Sequence, residues 1–237
     1  MTKRLLFACI AASAFCAEAA PIVFFDSFFR TEAIASAGVE SDLASDSSPP
    51  SVLPLTSSVA VGGGVDSASA AATGGVGLLT AAADTASDAG FAFGFATSQF
   101  VGSFFGEGPS RLIFLRFDFE TSSAASGTGE SLANLFVQLS ADGEILFDQF
   151  FAAGGPIALT FTLPQGALAT LDLLLLSQAI TFEGGQAGNI ASVGIDAQIP
   201  LPGTIALLLL GLLLLVFART QTPRAWMRRT ALLRWSR

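Results

Sequence analysis

Carboxylates are the only side chains in this sequence numerous enough to offer acid–base or ligand chemistry. The chain has no histidine and no tyrosine, and its single lysine, Lys3, and its cysteines, Cys9 and Cys16, all lie in the first sixteen residues. Ser-His-Asp and Cys-His catalysis therefore lack their base, Schiff-base chemistry lacks an amine beyond the N-terminus, and zinc lacks its usual nitrogen and sulfur ligands. A carboxylate pair of the glycosidase kind is what remains. Asp118 and Glu120 are its candidates, because residues two apart on a strand share a face. The plainer reading of the same spacing is a solvated strand face, so no catalytic residue is assigned. For calcium, Glu40, Asp42 and Asp46, or Asp142 with Glu144, offer loop oxygens. Neither run has the spacing of a calcium loop, and no metal ligand is assigned. Gly62-Gly63-Gly64 is no phosphate cradle either, since no Gly-Lys-Ser/Thr follows it.

The elements that would carry these carboxylates read as strands. Leu115-Arg116-Phe117-Asp118-Phe119-Glu120 alternates apolar with charged, the period of a half-buried strand. Ile113, Leu115, Phe117 and Phe119 are expected to face inward, with Arg116, Asp118 and Glu120 in water. Leu135–Ser140 and Glu144–Phe151 flank Ala141-Asp142-Gly143, and Asp-Gly between apolar runs is a hairpin signal. Ile157–Leu163 alternates again and stops at Pro164-Gln165-Gly166. Ala167–Leu176 is a nearly continuous apolar run that fits a strand buried on both faces or a short helix; periodicity alone does not decide. Thr181–Glu183 and Ser192–Ile199 are further strand candidates. Earlier in the chain, Pro21–Phe29 and Phe91–Phe95 are possible short strands, while Glu40–Pro54 and Val61–Gly77, rich in Ser, Ala, Gly and Asp, read as loops or partly disordered connections. The fold class expected is all-β: an antiparallel β-sandwich of jelly-roll type, with twenty-two phenylalanines supplying the core, plus one C-terminal transmembrane helix.

The two ends carry a different pattern. Residues are 51% hydrophobic and only 13% charged, a surplus that calls for a membrane segment, a large core, or both. Lys3 and Arg4 precede the apolar run Leu5–Phe15, which is too short to span a bilayer. Ala17 and Ala19 then supply small residues for signal-peptide cleavage, which is placed after Ala19. Phe15 stands where a lipoprotein signal needs a small residue, so Cys16 is not read as a lipidation site. At the other end, Gly203–Ala218 is free of charge and Arg219 stops it, followed by Arg224, Arg228, Arg229, Arg234 and Arg237. By the positive-inside rule this tail stays cytoplasmic and the preceding domain lies on the outer side. Between Asp26 and Asp196 three arginines meet eighteen acids, a balance of −15. That surface repels nucleic acid and anionic lipid.

Pro200-Leu201-Pro202, followed by Gly203, a leucine-rich segment and terminal arginines, resembles the PEP-CTERM sorting signal. Members of that family are processed by membrane transpeptidase-like enzymes, the exosortases. Leu201 stands where the family usually has Glu, and the tail after Arg219 is longer than the family's. Two prolines one residue apart keep the chain extended and outside the helix, a form that a membrane-bound peptidase can grip.

The domains expected are thus a signal peptide (1–19), a Ser/Ala/Gly-rich part with loops and short strands (20–110), sandwich core strands (111–198), the sorting motif with its transmembrane helix (199–219), and an arginine-rich cytoplasmic tail (220–237). The function this implies is that of an exported, non-enzymatic structural or interaction protein of the cell envelope. The resemblance supplies its partners: signal peptidase, an exosortase-like enzyme, the membrane through the C-terminal helix, and exopolysaccharide at the cell surface. No cofactor is expected, calcium being the one considered. The alternative is a permanently anchored module binding glycan or calcium. Sugar-binding faces usually use exposed Trp or Tyr, and here the only tryptophans, Trp226 and Trp235, lie in the tail.

Overall fold

Small residues in strict alternation, as much as bulky ones, build this protein. The computed structural model describes residues 20–48, 54–62, 65–105 and 111–199. Along the stretch 66–75, Ala68, Ala70 and Ala72 are buried while Ser67, Ser69 and Thr73 are half-buried on the other face. That is period two, and the chain there is a strand.

One sheet holds β11 (Gly155–Leu163), β8 (Arg111–Ser126), β13 (Gly185–Ile199), β6 (Leu78–Ser87), β5 (Asp66–Gly75) and β4 (Leu55–Gly62), in that order, with β1 (Ala20–Pro21) also paired to β13. We call it sheet A. Sheet B holds β10 (Glu144–Phe151), β9 (Glu130–Ala141), β12 (Leu168–Thr181), β7 (Ala92–Phe105), β2 (Asp26–Ala37) and β3 (Glu40–Ser48). Apart from the pairing of β1, for which no direction is assigned, all neighbours are antiparallel. The chain crosses between sheets at β1→β2, β3→β4, β6→β7, β7→β8, β8→β9, β10→β11, β11→β12 and β12→β13. The two sheets lie face to face, with one large buried cluster and a small second one (Ala83, Ala179 and Ala187) between them, and the described chain is all-β and sandwich-like.

The core changes in bulk along the strands. On β7 the buried residues run Ala92, Gly94, Ala96, Ser98, Phe100, Gly102, Phe104; on β2 they run Phe29, Thr31, Ala33, Ala35, Ala37. Because Ala37 pairs with Ala92 and Phe29 with Phe100, the bulky ends coincide and so do the slender ones. Stacked sheets ordinarily sit about 10 Å apart. At the slender end a Cβ added to Gly94 would stand 2.8 Å from the Ser69 carbonyl oxygen and 3.4 Å from the Ala83 Cβ, so the sheets leave no room there even for a methyl group.

Several expectations met the structure as stated. Ile113, Leu115, Phe117 and Phe119 are buried, with Arg116, Asp118 and Glu120 exposed. Asp142 and Gly143 form the β9–β10 turn with φ of 49° and 86°. The undecided run Ala167–Leu176 is strand from Leu168 onward, in β12, flanked on both sides by β7 and β9. Three expectations are corrected. Glu40–Pro54 and Val61–Gly77 are not loops throughout, since β3 and β5 occupy most of them. Ladder bonding needs no bulky side chain, and Ser/Ala alternation supplies the in–out pattern that composition hides. Phe182 and Glu183 belong to the β12–β13 turn rather than to a strand. The phenylalanines do not chiefly fill the core: Phe29, Phe100, Phe104, Phe117 and Phe119 are buried, whereas Phe25, Phe28, Phe91, Phe105, Phe114, Phe150 and Phe182 are exposed.

Pro21–Ile199 forms one compact unit, in which both sheets join strands from before residue 110 (β6-β5-β4 and β7-β2-β3) side by side with strands from after it (β11-β8-β13 and β10-β9-β12). The expected signal peptide and cytoplasmic tail, and the expected transmembrane helix with its sorting motif, lie outside the described residues. Among the described residues no helix is long and apolar enough to cross a membrane.

Candidate functional site

The carboxylates singled out from the sequence stand on the outer faces and edges of the sheets. Asp118 and Glu120 project from the outer face of β8, as their spacing requires. Arg116, on the same face, donates from Nε and Nη2 to Asp118 Oδ1 at 3.2 and 3.0 Å. The register of β8 with β13 sets Asp196 opposite Arg116, and Ser192 opposite Glu120. Arg116 is thus bracketed by two acids on a surface open to solvent. Gly154, Gly155 and Pro156 form the shallow rim beside it. A glycosidase needs two carboxylates on opposite sides of an enclosed bond. These two share one open strand face, and one of them is already held by an arginine.

The acids considered for calcium are engaged locally. Asp42 Oδ1 accepts the Leu43 amide at 2.8 Å, Asp46 Oδ1 accepts the Ser47 amide at 2.8 Å, and Glu40 Oε2 accepts the Gly62 amide at 3.0 Å. They lie along β3, an edge strand of sheet B. Asp142 Oδ1 accepts the Leu168 amide at 3.0 Å, and the Asp142 amide donates back to the Leu168 carbonyl at 2.9 Å, so this aspartate ties the β9–β10 turn to the start of β12. Among the described residues no group of three or more His, Cys, Asp or Glu is placed to hold a metal ion. The residues expected to form the sorting motif (Pro200, Leu201, Pro202 and Gly203), the membrane stop (Arg219) and the cleavage site (Ala17 and Ala19) lie outside the described residues.

Two arrangements escaped the sequence reading. Hydroxyls bridge the sheets through the interior: Thr31 Oγ1 and Ser57 Oγ are 2.8 Å apart, Ser98 Oγ donates to the Thr73 carbonyl at 2.9 Å, and Ser177 Oγ donates to the Asn189 carbonyl at 3.0 Å. Their signal was a hydroxyl at an inward position of an alternating strand, visible only once the inward parity is known. The second is an apolar band on the outer face of sheet B. Ladder register aligns Leu43, Ile34 and Phe95 across β3, β2 and β7, and Leu174, Phe136 and Phe150 across β12, β9 and β10. Phe93 stacks near Phe95 with centroids 6.2 Å apart, and Phe136 meets Phe150 at 4.7 Å. Exposed aromatic surface exists on the domain, but as phenylalanine without a polar tip, a poor match to a sugar ring's hydroxyls.

Compared with protein-family models and with curated proteins, the chain matches none.

Proposed function

We propose that this chain is a non-enzymatic structural or interaction protein of the cell envelope, exported by its N-terminal signal and sorted through a PEP-CTERM-like C-terminus. The observation that carries the reading is an order of residues: Pro200-Leu201-Pro202, the uncharged run Gly203–Ala218, then Arg219 and five further arginines. That order suits a segment held in a bilayer with its basic end in the cytoplasm. The acidic composition of the preceding 180 or so residues supports placement on the outer side, where solubility and distance from anionic lipid are favoured.

The two-sheet architecture supports a jelly-roll-like sandwich: from β6 onward the chain passes between sheets at every step except β9→β10. Surface-exposed modules of this shape present broad faces and edges rather than deep clefts, in keeping with a role in holding other macromolecules, exopolysaccharide among them. The residue inventory supports a non-enzymatic role, since the only exposed carboxylate pair considered for catalysis shares an open strand face with Arg116.

Intact-mass measurement of the native protein from fractionated cells tests this. A product beginning at Ala20 and ending near Pro200–Gly203 in the outer fraction is the expected result. A species still ending at Arg237 in that fraction overturns the sorting assignment.

A further inference from the structure

We infer that the outer edge of β11 is a self-association site, which pairs with β11 of a second copy of this chain in an antiparallel ladder. The inference is independent of how the C-terminus is processed. It begins from how the four edge strands are treated. A sheet edge presents unpaired amide and carbonyl groups, and proteins blunt such edges with charge, bulges or covering side chains. Three of the four edges here are blunted. On β3, Asp42 and Asp46 accept the Leu43 and Ser47 amides of their own strand. On β4, the Glu40 carboxylate from the neighbouring edge accepts the Gly62 amide. On β10, the register breaks between Ile145 and Phe147, and Glu144 and Asp148 add charge.

The fourth edge, β11, has a single such device, Pro156 at its second residue, and Ile157–Leu163 beyond it has none. Its sequence, GPIALTFTL, contains no charge, and its register with β8 runs unbroken from Gly155 to Leu163. Among the described residues β11 pairs with β8 alone. Beside it, a groove between β10 and β11 is lined by Phe147, Phe151, Ile157 and Leu159, with Phe147 and Phe151 stacked at 6.4 Å. The groove on this flank is thus apolar, whereas β3 on the opposite flank carries Glu40, Asp42 and Asp46.

A second copy is the occupant that the charge pattern selects. The domain is strongly acidic, so two copies repel wherever carboxylates line the approach. Of the four edge strands, β4 and β11 carry no carboxylate; β4 packs against the acidic β3, whose Glu40 reaches Gly62, so β11 is the uncharged edge that stands away from that strand. The strand is also complementary to itself. Antiparallel pairing about a two-fold axis at Leu159 overlaps all nine residues, sets Ile157 opposite Phe161 and Leu159 opposite its own counterpart, and keeps Ala158 and Thr160 together on the outer face. The inward apolar row of sheet A then continues from one copy into the next.

The test uses the full chain with Cys9→Ala and Cys16→Ala, which removes every native thiol. In that background Ala158→Cys with Thr160→Cys places thiols opposite each other across the proposed ladder. Mild oxidation with copper–phenanthroline is expected to give a disulfide-linked dimer on a non-reducing gel. The pair Ser41→Cys with Ser45→Cys, on the acidic β3 edge, is expected to stay monomeric under the same oxidation. In parallel, sedimentation of the detergent-purified chain is expected to show a dimer, and Ala158→Glu with Thr160→Glu to weaken it at least tenfold without altering the far-UV circular dichroism of the monomer. A monomeric wild-type chain, a dimer indifferent to the glutamates, or equal cross-linking at β3 overturns the inference.

Discussion

Thr31 on β2 and Ser57 on β4 bring their hydroxyl oxygens to 2.8 Å of each other between the two sheets. Ser57 Oγ also reaches the Thr31 carbonyl at 3.3 Å, so the two positions are not equivalent. Ser57→Ala leaves the Thr31 hydroxyl buried without this partner and is expected to cost about 1–3 kcal/mol in urea unfolding of a 20–199 fragment. Thr31→Val leaves Ser57 its carbonyl acceptor and is expected to cost less. A double-mutant cycle with coupling near zero contradicts the bridge.

Gly94 marks the closest approach of the sheets. Since a Cβ there would meet the Ser69 backbone, Gly94→Ala is expected to destabilise by about 1–3 kcal/mol, by forcing the layers apart. The midpoint of urea unfolding is expected to fall with the slope unchanged. Gain of stability, the usual result of Gly→Ala in open strand, would show that the layers are not in contact there.

The Asp142-Gly143 turn carries both a positive φ and a tether. Asp142→Asn keeps a side-chain acceptor and tolerates the left-handed conformation, so little change is expected. Asp142→Ala loses the bond to the Leu168 amide as well, and about 1–2 kcal/mol is expected to go with it. Thermal melts of the two variants that coincide would count against the tether.

The Arg116–Asp118 ion pair is expected to matter little. Its side chains are 62% and 52% exposed, and such pairs are screened and entropically costly to hold. Asp118→Asn is expected to shift unfolding by under about 0.5 kcal/mol. A loss of several kcal/mol would mean the face is covered by something in solution.

Much of the second half of the domain was legible because its residues contrast. In β8 every inward residue is large and apolar and every outward one from Arg116 to Glu120 is charged, so the period is plain. The Asp-Gly turn announces itself because few residue pairs tolerate positive φ at both of its positions. In β3 and β5 the contrast vanishes: Ser, Ala and Gly differ little in hydropathy, and their alternation reads as low complexity. Whether β12 was strand or helix depended on its neighbours β7 and β9, which are non-local. The exposed phenylalanines misled for a related reason, since hydrophobicity indicates that a side chain prefers cover without saying that the chain's own fold provides it. Edge position is more remote still. GPIALTFTL looks like any half-buried strand, and only the pairing pattern reveals that nothing described lies on its far side.

The alanine-lined end of the interior also governs how the protein responds to temperature. Alanine has no rotamers to freeze, so ordering this region costs less side-chain entropy than ordering a leucine-filled layer. It also exposes less apolar area on unfolding, and the heat-capacity increment of unfolding scales with that area. A smaller increment flattens the curve of stability against temperature. At equal peak stability, a domain with a smaller increment stays folded over a wider thermal range.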